Sequence, residues 1–465
     1  MSGAPVTVVG GSVAALVAAD ALARRGVPVD LFLPERGVGG GFLPFERDGR
    51  RLDLGPRVLE LSYDGEPRPS PPLADYRPGP HGHRPYLELI DQLVAGIVGD
   101  DLSPVGPAEV SVGGRRTSDY VLAGDLTRIA DAVDASLLAT MAAEAAARVE
   151  VEGPHGAFAE GRGGLPWDRS FAAVGEDYTG ATFHRHLIEP IAAKILPGGA
   201  SRVLAPLHRK IWLPLFHPAT AWAACTGAPD QYRPDRPFAT VAGGGMGEVV
   251  RRLVERVTGA PGVTVHREGP LTGLTAARST PDAVDLAFAG GGRTVVLRPI
   301  VGVGAGELFA AVGASYEVDQ VVATMVWVDL PEAVVRSLPS VLFSAEPEVE
   351  VMRVTENLAE ARPGVRTVCC EIADGVAKDR WEQVALDSLR TLGVASTVAG
   401  ATVVAAASRP AFAVPGAASA AEFSGARAAL DALGLPIEVV GGATAFAVDS
   451  FNEQVVQGLA AAERR

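Results

Sequence analysis

The stretch that decides the fold is Val6-Thr7-Val8-Val9-Gly10-Gly11-Ser12-Val13-Ala14-Ala15-Leu16, followed by an alanine-rich run to Arg25 and by Val29-Asp30-Leu31-Phe32-Leu33. An apolar strand, a glycine turn, a helix and a second apolar strand in that order form a βαβ unit of dinucleotide-binding type. In such a turn the first Gly permits the sharp bend, the second lets backbone approach a pyrophosphate, and the third lets helix pack on strand. Gly10 fills the first place, Ala15 stands at the third, and Ser12 at the second puts a Cβ and a hydroxyl where phosphate oxygens would meet the helix N-terminus. The acid expected at the end of the second strand to hold the ribose is replaced by Leu33, with Glu35 two residues late. The scaffold is therefore more legible than its ligand.

Working outward, Gly39-Gly40-Gly41-Phe42 precedes a hairpin expected around Asp48-Gly49, which ends at Gly55-Pro56-Arg57. Residues 65 to 84, rich in Pro and His, read as a loop, and 108–112 with 115–121 as a second hairpin. Leu126 to Val149 has a continuous helical pattern, and 170–225 alternates helical stretches with Pro-marked breaks, as in a helical insertion. Gly243 to Gly247 opens an amphipathic helix, Val263 to Val265 is a strand, and Val295 to Val303 reads as one strand entering a turn at Gly302, Gly304 and Gly306. Beyond it, strands are expected at 321–328 and 365–372 with a helix from Trp381 to Leu392. Ile437 to Val440, Gly441-Gly442 and Glu453 to Ala462 close the chain as strand, turn and helix. The expected fold class is α/β: a Rossmann-like FAD/NAD(P)-binding domain from 1–62, 238–312 and 426–465, with a mixed α+β substrate domain from 63–237 and 313–425.

The 465 residues, 48% hydrophobic, suffice for two or three domains. A net charge of −14 repels nucleic acid and anionic membrane, so neither is an expected partner. Lysine is confined to Lys194, Lys210 and Lys378, while Ala, Gly, Val, Pro and Arg abound, a usage that fits a GC-rich bacterial genome. Met1 leads into the first strand with no leader-like segment, and no apolar run reaches the length of a spanning helix, so the expected location is cytoplasmic. Cys225, Cys369 and Cys370 have neither disulfide-framework nor metal spacing.

The ordered pieces resemble the flavoprotein superfamily of amine oxidases, protoporphyrinogen oxidases and phytoene desaturases, and most of all the branch containing UDP-galactopyranose mutase. The resemblance runs through Gly39-Gly40, Asp53-Leu54-Gly55-Pro56-Arg57, Ser170-Phe171 with Pro190 to Ile195, Phe238 to Val257, Met352 to Glu356, and Gly441 to Gly458. It implies FAD contacts at Gly10, Gly11, Ser12, Ala14 and Ala15, at Gly39 to Phe42 (Gly40 and Gly41 between), and at Gly55, Pro56 and Arg57. Val265, Gly441, Gly442, Asn452, Glu453 and Gln454 complete the implied contacts. The departures fall on those same places: Gly442 replaces the family's diphosphate Arg, Arg57 replaces a His, and 448–454 reads Val-Asp-Ser-Phe-Asn-Glu-Gln. Charged hydrogen bonds are worth roughly 1.5–3 kcal/mol each, so losing the ribose acid and the Arg removes about 3–6 kcal/mol. That is about two to four orders of magnitude in affinity.

Arg36, after the second strand, reads either as a surface ion-pairing residue or as a contact for a phosphate, including the 2′-phosphate of NADP. His184 and His186 on one helix point about 200° apart and do not share an ion, and His81 and His83 lack further ligands, so no metal is expected. Glu189 and Lys194 read as a structural pair or cap, and Trp212, Trp222 and His217 as core or a substrate wall. Gly11-Ser12 lacks the spacing of a nucleophile elbow, and no catalytic residue is named. Two functions are carried forward. One is an FAD-dependent oxidoreductase or desaturase acting on a small molecule in bacterial specialised metabolism through a modified flavin site. The other is a flavin-free descendant, either a non-redox enzyme or a non-catalytic partner subunit of another protein.

Overall fold

A computed structural model describes residues 4–61, 69–156, 164–228, 238–278 and 280–465. The expected domain junction at 62/63 lies outside them, as do residue 237 and the first part of the 65–84 loop.

Strand β1 (Val6–Val9), helix α1 (Val13–Arg24) and strand β2 (Val29–Pro34) form the expected βαβ unit. They sit in a five-stranded parallel sheet whose order is 438–439, 300–301, β1, β2, 263–268. Val9 is in register with both Phe32 and Val301, and Ile300 with Glu438. Three separated stretches of chain thus build one sheet. Its connections reverse direction beside β1, which opens a crevice at the carboxyl edge, where ligands of open α/β sheets bind.

Alanines let α1 be buried along most of its length, and its acid Asp20, 2% exposed, is paired with Arg24 and with Arg256 of the helix Gly245–Thr258. The closing helix Phe451–Glu463 packs on α1 so closely that a Cβ at Gly458 would lie 2.4 Å from the carbonyl oxygen of Ala14. Glycine is what allows the two backbones to meet.

The run Val295–Val303, expected as one strand, is two. Arg293–Leu297 belongs to a three-stranded antiparallel sheet and Ile300–Val301 to the parallel sheet, because Arg298 at φ 38° and Pro299 turn the chain between them. The helix expected from Leu126 to Val149 is likewise divided into Ile129–Ala132 and Ala135–Glu152. The π-helical turn His184–Ile188 buries His184 against Phe171 and leaves His186 exposed.

A seven-stranded mixed sheet forms the second layer, in the order 402–413, 320–331, 365–372, 351–356, 341–344, 109–112, 115–118. The helix Trp381–Thr391 packs into one apolar cluster with this sheet, and residues of the 171–225 helical region into another. The hairpin 45–47/50–52 is tied to it at Asp53: Trp327 Nε1 donates to the Asp53 carbonyl at 2.8 Å, and Asp53 Oδ2 accepts from the amides of Leu358 and Ala359. Among the described residues no helix is long and apolar enough to cross a membrane.

Candidate functional site

A cleft of about 510 Å³ lies over the carboxyl ends of β1, β2 and Ile300–Val301. Of the residues anticipated at a cofactor, Gly10, Gly11, Ser12, Arg36, Gly40, Gly442 and Gln454 line it. Gly10 adopts φ 110°, and a Cβ there would meet the Gly302 carbonyl oxygen at 2.4 Å, so both the bend and the strand–turn approach require glycine.

The first turn of α1 has an arrangement of its own. Ser12 caps the helix, its Oγ accepting from the Ala15 amide at 3.2 Å. Gln454 Oε1 accepts from the Ala14 amide at 3.4 Å, while its amide nitrogen donates to the Asp449 carbonyl at 2.9 Å. Gly302 lies across the same turn: the Ser12 amide donates to its carbonyl at 3.2 Å, and a Cβ on it would come within 2.6 Å of Ser12 Oγ. Two N–H groups that a helix N-terminus would offer to an anion are therefore used inside the protein.

Other anticipated residues stand outside the cleft. The Gly441 amide donates to Gln457 Oε1 at 2.6 Å, Asn452 Nδ2 donates to the Glu60 carbonyl at 2.7 Å, and Glu453 forms a capping box with Ser450. Val265 is half-buried in the parallel sheet beside Leu31. Phe42 packs edge-on against Phe451. Arg57 Nη2 donates to the Gly41 carbonyl at 2.7 Å, which joins the Gly39–Phe42 and Gly55–Arg57 segments directly. Burial draws the Arg57 guanidinium below its usual value, opposed by the charges of Asp53 and Glu371. Beside it, a Cβ at Gly55 would lie 2.6 Å from Glu371 Oε1, and Glu371 is held by Arg353 through two hydrogen bonds of 2.5 and 2.6 Å.

The cleft also contains groups that sequence reasoning passed over. Lys210 forms an ion pair with Asp449, and Tyr316, Gln320, Glu268, Glu307, Phe423 and Phe446 share the wall. Asp449 lies within the quoted 448–454 run, and the scarcity of lysine was the available signal for Lys210. Arg36, exposed at the mouth, has no carboxylate partner among the described residues. Lys194, by contrast, is structural: its ammonium donates to the carbonyls of Ser344 and Glu346, both at 2.8 Å, and burial lowers its pKa to about 8. Trp212 stacks on Arg353, 4.3 Å from ring to guanidinium, and Trp222 is exposed. Among the described residues no group of His, Cys, Asp and Glu could hold a metal ion.

The profile of the NAD(P)-binding Rossmann-like domain matches residues 8–69. No curated protein matches the sequence. Reduced UDP-galactopyranose mutase superposes with a TM-score of 0.70 at 13% identity, over 99% of this chain and 95% of its own. The fold is that of UDP-galactopyranose mutase. Putrescine oxidase bound to putrescine shares it at a TM-score of 0.55 and 16% identity, over 99% of this chain and 98% of its own. So does the CLA-producing fatty acid isomerase from P. acnes, at 0.56 and 13%, over 100% of this chain and 99% of its own. The N-terminal segment of this mutase-like fold is thus a dinucleotide-binding-type unit, and FAD is the group to test against it. The residues present do not fit its diphosphate. The Ser12 hydroxyl takes up the Ala15 amide, Gln454 occupies the helix end, and Gly442 supplies no cation. The charged lining is Arg36 and Lys210 against Glu268, Glu307 and Asp449, two cations to three carboxylates, which opposes a dianion.

Proposed function

We propose that this protein acts without a flavin, as a non-redox enzyme of the mutase-like fold whose small-molecule ligand enters the cleft over β1 and β2. The observation that carries this reading is the internal use of the α1 N-terminus by Ser12 and Gln454. Crowding at Ser12, the missing cation at Gly442 and the carboxylate excess in the cleft support it from separate directions. The test is the visible spectrum of the purified protein after incubation with excess FAD and gel filtration. A colourless protein is expected, and a stoichiometric flavin band sinks the proposal.

Arg36 favours a second reading. Among the described residues its guanidinium has no carboxylate partner, and it follows β2, where a nucleotide phosphate would be met, so the same cleft as an oxidoreductase site would begin there. Thermal stabilisation by NADP that Arg36→Ala abolishes is the result that would select it.

A further inference from the structure

Lysine is scarce in this chain, and each instance has a different setting. Lys378 is exposed and Lys194 is saturated by backbone acceptors. Lys210 alone among the three faces the cleft, paired with Asp449 and placed beside the Phe412 ring, its ammonium 5.4 Å from the centroid. Arginine, the cation this sequence uses almost everywhere, would grip Asp449 with two parallel hydrogen bonds. What lysine offers instead is a primary amine.

The surroundings suit that amine. Tyr316 lines the same cavity, and its phenol is held in the protonated form by burial and then by the charge of Asp449. Phe423 and Phe446 give the wall an apolar side, in contact with each other and, through Phe423, with Tyr316. The carboxylate excess that opposes a diphosphate stabilises a cation formed inside the cleft.

We propose that the cleft binds an aldehyde or ketone with an apolar body, and that Lys210 captures it as an iminium ion. Asp449 takes a proton from the Lys210 ammonium, and the freed lone pair forms a C–N bond to the carbonyl carbon. The carbonyl π pair moves to oxygen, which takes a proton from Tyr316 or Asp449. The bonded nitrogen then gives a second proton to the group that has just donated one, which passes it to the hydroxyl; the hydroxyl departs as water while the nitrogen lone pair forms the C=N bond. Ammonium and carbonyl thus become iminium and water, with no net redox change and no cofactor.

This rests on the cleft being a ligand site instead of a flavin seat. The experiment treats the full-length protein, without FAD, with benzaldehyde and cyanoborohydride, and follows reductive labelling of each lysine by peptide mass spectrometry. Positioned acid–base assistance is worth about a hundredfold, so Lys210 is expected to label about a hundredfold faster than exposed Lys378, with Asp449→Asn removing that advantage and leaving Lys378 unchanged. Lys210→Arg keeps the ion pair and is expected to lose the fast label. Equal rates at Lys210 and Lys378 in the unmodified protein, or no effect of Asp449→Asn, overturn the proposal. A flavin band in the FAD experiment would overturn the flavin-free reading and this proposal with it, whereas equal labelling rates in a protein that shows no flavin band overturn this proposal alone.

Discussion

Gln454 Oε1 accepts a hydrogen bond from the Ala14 amide, joining the closing helix to the first turn of α1 at the place a dinucleotide would put its diphosphate. A residue 440 positions away in sequence thereby satisfies a helix N-terminus that the turn was shaped to expose.

If that contact and its neighbours exclude flavin, reversing them should restore it. The triple change Ser12→Gly, Gly442→Arg and Gln454→Ala clears the approach, supplies a cation and frees an amide. A gain of about a hundredfold or more in FAD affinity is expected from one or two charge-assisted bonds, read by quenching of flavin fluorescence. An unchanged affinity would show that the seat is blocked elsewhere.

The buried pair Arg353–Glu371 lies where the mixed sheet meets Gly55, with Arg353 only 1% exposed and sandwiched against Trp212. Breaking a buried pair leaves an uncompensated charge at a cost of about 3–5 kcal/mol. Glu371→Gln should lose stability on that scale in urea unfolding; a loss below about 1 kcal/mol would mean the pair behaves as an exposed one.

Burial raises the Asp53 carboxyl to a pKa of about 6, above its unfolded value of 3.8. The folded state therefore binds more protons between those values, so the stability from protonated Asp53 is fully present below the unfolded pKa and is lost as pH rises through the folded one. The change is about 3 kcal/mol. Asp53→Asn retains an acceptor for Leu358 and Ala359 and should flatten the fall in stability between pH 4 and 7. Identical pH profiles for the two proteins would refute the assignment.

Gly458 admits α1 against the closing helix. Alanine gains about 1 kcal/mol of helix propensity, yet its Cβ would press on the Ala14 carbonyl and on Val17, 2.8 Å away. Gly458→Ala is expected to destabilise by about 1–3 kcal/mol net, and a raised melting temperature would contradict the close packing.

How far the residues could be read varies along the chain. The βαβ unit was legible because apolar strands, turn glycines and an apolar helix agree over one continuous segment. The strand Thr402–Ala413 and the helix Ala417–Ala432 were not, since both are alanine-rich and carry little periodic contrast. Val295 to Val303 looked like one strand because composition does not say which sheet each half joins. The departures at Ser12 and Gly442 were visible as residue types. What Gln454 does with its amide was not.

The sequence by itself determined the local units: glycine where the backbone must bend or touch, apolar strands at the centre of a sheet, and an alanine helix with one face after another buried. These follow from short-range sterics and from burial, which neighbouring residues share. Only the tertiary structure decided which side chain ends at the α1 N-terminus, how Lys210 meets Asp449, and that cations are outnumbered in the cleft. Those relationships join residues hundreds of positions apart. Their strength depends on distance, desolvation and unmet hydrogen bonds, which exist only once the chain has closed on itself.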